Sequence, residues 1–481
     1  MLFRQIFDPK LAQYAYLIGC QQTGEAILFD PERDIDRYVD LAEEEALRIV
    51  AVAETHIHAD FLSGARELAE RFQVRVYLSD EGDEAWKYEW INEERKAGGL
   101  YDFVLLRDGD EFTVGNIRFT VLHTPGHTPE HLAYLVTDKG GGADEPMGII
   151  SGDFVFVGDL GRPDLLEQAA GLHGVQEPSA RQLFRSLPRF TELGDYIQVW
   201  PAHGAGSTCG KSLGAVPQST VGYEKRFNAS LDAARSGEEA FVGAILAGQP
   251  EPQMYFARMK RDNKLGAPVL GNLPSPRELS SSELIEAVKK GDSLIVDTRL
   301  DRPSFFARHV TGSLYAPFNK AFNTVIGSLV VDEGTPLILI IEAGDVEAAV
   351  RDLVRIGYDN VTAFADERTL MRYFANGGPA STIDEIRFAE IGEIGDGEDV
   401  AVIDVRFRSE YDGGRVPGSV NASYTRLPDY LDRIPSDKTL LVYCTTGARA
   451  AAASAYLARL GHSVVLINDN FENCRLEALA V

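Results

Sequence analysis

Cysteine is scarce in this chain: four residues (Cys20, Cys209, Cys444 and Cys474) are scattered over 481 positions. That is too few and too dispersed for a disulfide framework. Thiols that stay reduced point to the cytosol, so a cytoplasmic protein is expected. Long apolar runs are also missing; none approaches the roughly 20 residues of a membrane span. The opening MLFRQIFDPK lacks the apolar region of a signal peptide. Positive charge is short as well: 47 Lys and Arg face 73 Asp and Glu, a net charge of -26. A nucleic-acid backbone would be repelled, and a small anionic substrate needs a local cationic or metal site. The length exceeds a single core and suggests roughly three domains of about 150 residues.

Histidine is unevenly spread. Seven of nine (His56, His58, His123, His127, His131, His173 and His203) precede residue 210, so the chemistry of the first half differs from that of the second. Residues 1–255 alternate short apolar runs, expected as strands at 14–18, 26–29, 49–53, 74–78, 117–122, 132–136, 148–150 and 197–200, with helical patterns such as 35–47 and 64–72. This mixture reads as a layered α/β domain. The stretch 263–276 is rich in Pro and Gly and reads as part of a linker, set at 256–278. One pattern then occurs twice. Asp297-Thr-Arg299 pairs with Asp404-Val-Arg406, and His309-Val-Thr-Gly312 with Arg415-Val-Pro-Gly418. Two copies of one domain are therefore expected, at 279–378 and 383–481, each with a parallel sheet and flanking helices.

Candidate metal ligands recur after strands: Thr55-His56-Ile57-His58-Ala59-Asp60, His123 to His131, Ser151-Gly152-Asp153 and Pro201-Ala202-His203-Gly204. Loops at strand ends on a rigid scaffold are where sites are built. His123, His127 and His131 are spaced like a helical face, but Pro125-Gly126 and Pro129 place His127 in a tight turn instead.

The order THxHxD, TPGHT, GD, PAHG resembles the metallo-β-lactamase fold, an αββα sandwich whose loops carry metal. Most of that superfamily are two-metal hydrolases, including the glyoxalase II group. In them the first motif ends in a histidine that serves the second metal, together with residues that map here to Asp60, Asp153 and His203. Phe61 stands in that histidine's place, and a phenyl ring cannot ligate. The resemblance thus implies one metal, held by His56, His127 and Asp153. Two histidines and a carboxylate with open positions are the arrangement of non-haem Fe(II) oxygenases; a zinc on His56, His58 and His127 is the rival. Gly158-Asp159-Leu160-Gly161-Arg162-Pro163-Asp164 is similar to a run of the persulfide dioxygenase branch, which implies that Arg162 holds the substrate's anionic end and that Asp159 is structural. His58, Asp60 and His203 are read as groups that orient ligands or accept protons. His131 and His173 are read as structural.

The run Ala205 to Ser212 fits a loose Walker A pattern, but the context of a P-loop is missing. Cys209, six residues after His203, is instead a candidate for contact with substrate sulfur at the metal. In the last copy, Cys444-Thr-Thr-Gly-Ala-Arg449 lies between an apolar strand and an Ala-rich helical run. Backbone N–H groups and the helix dipole favour an anion there, and Arg449 adds charge. With Ile403-Asp404-Val405-Arg406, Glu410 and Val416-Pro417-Gly418-Ser419, this resembles the rhodanese family, which carries sulfur as a cysteine persulfide. Two departures are Arg415 for a usual histidine and Asn470-Phe471-Glu472 for a usual Gly-Gly-Ile. In the middle copy the cysteine position falls at about Glu342, so that copy is expected to be inactive.

Together the resemblance covers nearly the whole chain and implies a multidomain persulfide dioxygenase–sulfurtransferase of sulfide detoxification. It implies one Fe(II) per chain. The partners would be a low-molecular-weight thiol persulfide, O2, and sulfite or thiosulfate, with no nucleic acid and no membrane, in a homo-oligomer. Two alternatives stay open: a zinc-dependent thioester hydrolase of the glyoxalase II type, and a non-catalytic sulfur carrier.

Overall fold

Twelve strands of the first half pair in chain order in the computed structural model, which describes residues 1–168, 174–393 and 399–476. β1 (Leu2–Asp8), β2 (Gln13–Cys20), β3 (Glu25–Phe29), β4 (Arg48–Ala53), β5 (Arg75–Ser79) and β6 (Phe103–Leu106) make one sheet. β7 (Glu111–Val114), β8 (Ile117–His123), β9 (Leu132–Asp138), β10 (Gly148–Gly152), β11 (Gln198–Pro201) and β12 (Ser219–Thr220) make the other. Side chains alternate across a strand, so each sheet has two faces to cover. The inner faces meet in a core that includes Tyr16, Phe29, Phe119, Tyr134, Ile150 and Trp200. The outer face of the first sheet packs on helices through Tyr38, Ala42 and Leu68. That of the second packs on helices through Ala180, Leu183 and Phe241. The result is helix, sheet, sheet, helix, as the sequence implies.

The linker reading needs correction. Helix Phe256–Leu265 lies within the expected linker, yet residues 256–272 belong to the first compact unit with residues 1–250. Phe256, Met259 and Asn263 are buried there. The far end of the same segment, Arg277–Glu278, is an edge strand of the next sheet.

Both repeats fall within one compact unit, 251–255 with 273–481. The first repeat has an all-parallel sheet in the order Arg277–Glu278, Val361–Ala365, Leu337–Ile340, Leu294–Asp297, Leu314–Tyr315. The second repeats that order with Asp384–Ile386, Ser463–Ile467, Thr439–Tyr443, Val400–Asp404, Val420–Asn421. Central strands such as Leu294–Asp297 and Leu337–Ile340 are buried along their whole length, because helices cover both faces of a parallel sheet. Among the described residues no helix is long and apolar enough to cross a membrane.

Candidate metal centre and cysteine loop

The first sheet ends its central strands in a buried acid. Asp30, just after β3, has a left-handed backbone (φ 48°) that turns its carboxylate back into the protein. That carboxylate accepts Thr55 N–H at 2.7 Å and Thr55 Oγ1 at 2.9 Å, and it meets His58 Nε2 at 3.1 Å. Because Thr55 Oγ1 donates to Asp30, its lone pair is left for His56 Nδ1, 2.9 Å away. The network therefore places the proton of His56 on Nδ1 and bares Nε2. His127 Nδ1 donates to the Arg162 carbonyl at 3.0 Å, and His203 Nδ1 to the Ala12 carbonyl at 3.2 Å. These two also present bare Nε2 atoms.

The bare nitrogens point at carboxylates. His127 Nε2 lies 3.3 Å from Asp153 Oδ2, and His203 Nε2 lies 3.4 Å from Asp60 Oδ2 and 3.5 Å from Asp153 Oδ1. Both Asp153 oxygens, Asp60 Oδ2 and His203 Nε2 are buried without a hydrogen-bond partner. Lone pair facing lone pair in a buried site is unfavourable unless a cation stands between them. The donor atoms of His56, His127 and Asp153 lie within 4.8 Å of one another, and so do those of Asp60, His203 and Cys209. The residues thus fit a divalent metal. His58 stands outside the first set; with burial opposing, Asp30, Glu54 and Asp60 raise it to about 9. Burial raises Asp60 and Asp153 to about 6, and lowers His127 to about 4.

Supporting residues hold these donors. Asp153 N–H donates to His131 Nε2 at 2.9 Å, while His131 Nδ1 donates to Thr124 Oγ1 at 2.8 Å. His131 is thus an orienting group, as its structural reading implied; His173 lies outside the described residues. Gly152 has φ +53°, and a Cβ there would meet His131 Nε2 at 2.5 Å, so only glycine lets the two strands' ends approach. Phe61 is fully buried against the His58 ring, 4.4 Å between centroids. Asn263, on helix Phe256–Leu265, donates to the carbonyls of His58 (2.8 Å) and Phe61 (2.7 Å) and accepts Ser63 N–H (2.8 Å). Sequence reasoning missed Asn263 and Asp30. An acid directly after an apolar strand was a usable signal for Asp30 alone.

Of three further residues, Arg162 departs from its expected role, while Cys209 and Asp159 lie where they were expected. Arg162 is fully buried and clamps Asp164 through Nε (2.9 Å) and Nη2 (2.6 Å), with Nη1 on the Thr208 carbonyl at 3.0 Å. It positions the 158–164 turn against the Cys209 loop rather than standing open for a substrate anion. Cys209 does come to the site, but its thiol is buried and pushed well up by burial and by Asp60 and Asp153. The Walker-like run has its own anion: Lys211 N–H and Ser212 N–H both donate to Asp159 Oδ2 at 3.0 Å, and Lys211 Nζ caps the Ala247 carbonyl at 2.9 Å. No phosphate is needed there, and Asp159 is structural.

In the second repeat, Cys444 follows strand Thr439–Tyr443 and precedes helix Ala448–Arg459, which starts at Gly447 with φ +79°. Its Sγ accepts Ala450 N–H at 3.4 Å. Arg449 does not reach for the thiol; it grips Glu410 twice (2.6 and 2.7 Å) and Thr445 Oγ1 at 2.8 Å. Glu410 also accepts Thr445 Oγ1 at 2.9 Å. In the first repeat, Ile340 pairs with Asp297 as Tyr443 pairs with Asp404. The position of Cys444 is therefore Ile341, one residue before the expected Glu342. The conclusion that this copy lacks the thiol is unchanged. A cavity of about 240 Å3 there is lined by acids including Glu342, Asp345 and Glu367.

The family model of the metallo-beta-lactamase superfamily matches residues 8–203, and that of the rhodanese-like domain matches residues 389–475. The crystal structure of a metallo-beta-lactamase from Staphylococcus aureus subsp. aureus COL is 38% identical, with a TM-score of 0.66; the match covers 76% of this chain and 99% of that one. A mitochondrial persulfide dioxygenase of Homo sapiens is 27% identical over 209 residues, 42% of this chain and 68% of its own. A probable polyketide biosynthesis zinc-dependent hydrolase of Bacillus subtilis (strain 168) is 25% identical over 212 residues, 44% of this chain and 81% of its own.

Proposed function

The chain belongs to the metallo-beta-lactamase superfamily, and from that footing we propose that its first unit is a one-metal persulfide dioxygenase and its last repeat a sulfurtransferase. The similarity to persulfide dioxygenases and the rhodanese-like domain support a role in sulfur metabolism. The observation that carries the finer reading is the donor set: two bare histidine nitrogens and one unpartnered carboxylate, His56, His127 and Asp153, with Phe61 where a further ligand would stand. The reaction converts a thiol persulfide, O2 and water into a thiol, sulfite and two protons. Two of sulfite's oxygens come from O2 and one from water.

One Fe(II) held by these three residues would supply the one-electron chemistry that O2 requires. The protein's own residues do the rest. Thr55 and the Arg162 carbonyl fix the tautomers of His56 and His127, and His131 fixes Asp153. Phe61 and Phe156 wall the site beside His58 and His203 and exclude water. Asp60, 3.4 Å from His203, is placed to take the proton that the persulfide gives up. In the last repeat the Cys444 thiolate attacks the outer sulfur of thiosulfate. The donor's S–S bond breaks, and sulfite leaves with the bonding pair. The reverse step, sulfite on the Cys444 persulfide, forms thiosulfate and restores the thiolate.

The test is metal content and oxygen uptake on protein purified without air. One iron per chain, with O2 consumed on adding a thiol persulfide, is expected. No uptake by the iron-loaded protein would sink the dioxygenase reading. A second reading, a zinc thioester hydrolase, rests on the donor set Asp60, His203 and Cys209; two zincs with thioester cleavage would establish it instead.

A further inference from the structure

The silent repeat reaches the cysteine loop of the active one. Helix Arg302–Ala307 begins with Arg302, whose Nη1 donates to the Thr446 carbonyl at 3.2 Å. Next door, a Cβ on Gly447 would lie 2.6 Å from the same nitrogen, so a glycine is needed for the guanidinium to sit there. Two successive loop carbonyls are thus gripped from outside: Thr445 by Phe471 N–H at 2.9 Å, and Thr446 by Arg302. On the inside, Ala450 N–H points at Cys444 Sγ.

Charge makes Arg302 more than a brace. The last repeat's own arginines near the loop are neutralised: Arg449 pairs with Glu410 at 2.6 Å, and Arg406 with Asp404 at 2.6 Å. Among the described residues Arg302 has no carboxylate within ion-pair distance. It is half-buried and stands beside the N-terminal end of helix Ala448–Arg459. A cation beside the positive end of a helix is unfavourable by itself and becomes favourable when an anion joins them. The whole chain carries a net charge of -26, so a dianion approaching Cys444 needs such local compensation.

We propose that Arg302, supplied by the thiol-less repeat, is the positioning and anion-selecting residue of the Cys444 loop, favouring doubly charged sulfur oxyanions such as sulfite and thiosulfate. This rests on the sulfur-transfer reading of Cys444. The silent repeat thereby lends a charge that the active repeat has spent on Glu410.

Two measurements on the full chain decide it. In thiosulfate-to-cyanide transfer, Arg302→Ala should raise KM for thiosulfate about five- to tenfold and leave kcat within about twofold. Arg302→Lys should recover most of that loss. Separately, sulfate, an unreactive dianion, should slow alkylation of Cys444 by iodoacetamide, and Arg302→Ala should raise the sulfate needed for half-protection by a similar factor. A KM and a half-protection within twofold of wild type, or a fall in kcat alone, would overturn the inference and leave Arg302 a brace. If wild type shows no Cys444-dependent transfer, the sulfur-transfer reading fails, while sulfate protection still judges Arg302 by itself.

Discussion

At the scale of single residues, the candidate metal site is a set of proton decisions made by neighbours. Asp30 receives the Thr55 hydroxyl, the hydroxyl receives His56 Nδ1–H, and Nε2 is left bare. Backbone carbonyls do the same for His127 and His203. Burial then sets where protons compete with a metal for each of these groups. It lowers His127 to about 4 and raises Asp153 and Asp60 to about 6. The sign follows directly. Above about pH 6 the carboxylates of the metal-free protein are ionised, and binding displaces no proton from them. As pH falls through 6 a metal must displace a proton from Asp153, so apparent affinity drops by about tenfold per pH unit for each proton displaced. His127 adds nothing until about pH 4. Competition with a chromophoric chelator between about pH 5 and 8 measures this. Affinity already falling at pH 7, as an ordinary imidazole would give, would contradict the assignment of carboxylates as the competing groups.

At the scale of elements, one helix outside the two sheets secures the metal loop. Asn263 on Phe256–Leu265 ties together the His58 carbonyl, the Phe61 carbonyl and Ser63 N–H. Asn263→Ala would leave two buried carbonyls and one half-buried N–H without this partner, a cost of about 2–4 kcal/mol. The same loop carries His56, so metal should also be lost more readily during dialysis. Chemical denaturation and metal retention check the two effects; a variant as stable and as metal-rich as wild type would show that the helix merely lies over the loop. This contact was not legible in the sequence. Residues 202 positions apart meet there, and the Pro and Gly that follow made the segment look like a connection. The strand-end motifs were legible because a ligand after an apolar strand is a local pattern. So was the repeat, since Asp297 and Asp404 keep the same place in the two parallel sheets. Arg162 misled because an arginine in a Gly-rich turn looks available, whereas Asp164, two residues on, takes it. The acid's preference for that guanidinium depends on a burial that no local pattern reveals.

At the scale of the whole molecule, one chain carries a candidate metal site in its first unit and a cysteine loop in its second. Covalent linkage keeps the two chemistries in one-to-one ratio, whatever the protein concentration outside. The proposed product of the first, sulfite, is the acceptor that a Cys444 persulfide needs. In that reading the first unit supplies what the second consumes and takes nothing from it, which makes a single-residue separation possible. In Cys444→Ser the hydroxyl cannot hold sulfane sulfur, but the fold around it should stay intact because the volume hardly changes and Glu410 and Thr445 still grip Arg449. With a thiol persulfide and O2, that variant should form sulfite at the wild-type rate within about twofold and lose thiosulfate by at least about a hundredfold, the scale of removing an essential nucleophile. Chromatography of the sulfur oxyanions after a fixed turnover reads both. Thiosulfate unchanged in Cys444→Ser would mean that sulfur passes to sulfite without this loop. Loss of sulfite along with thiosulfate would mean that Cys444 delivers the persulfide to the metal rather than receiving its product.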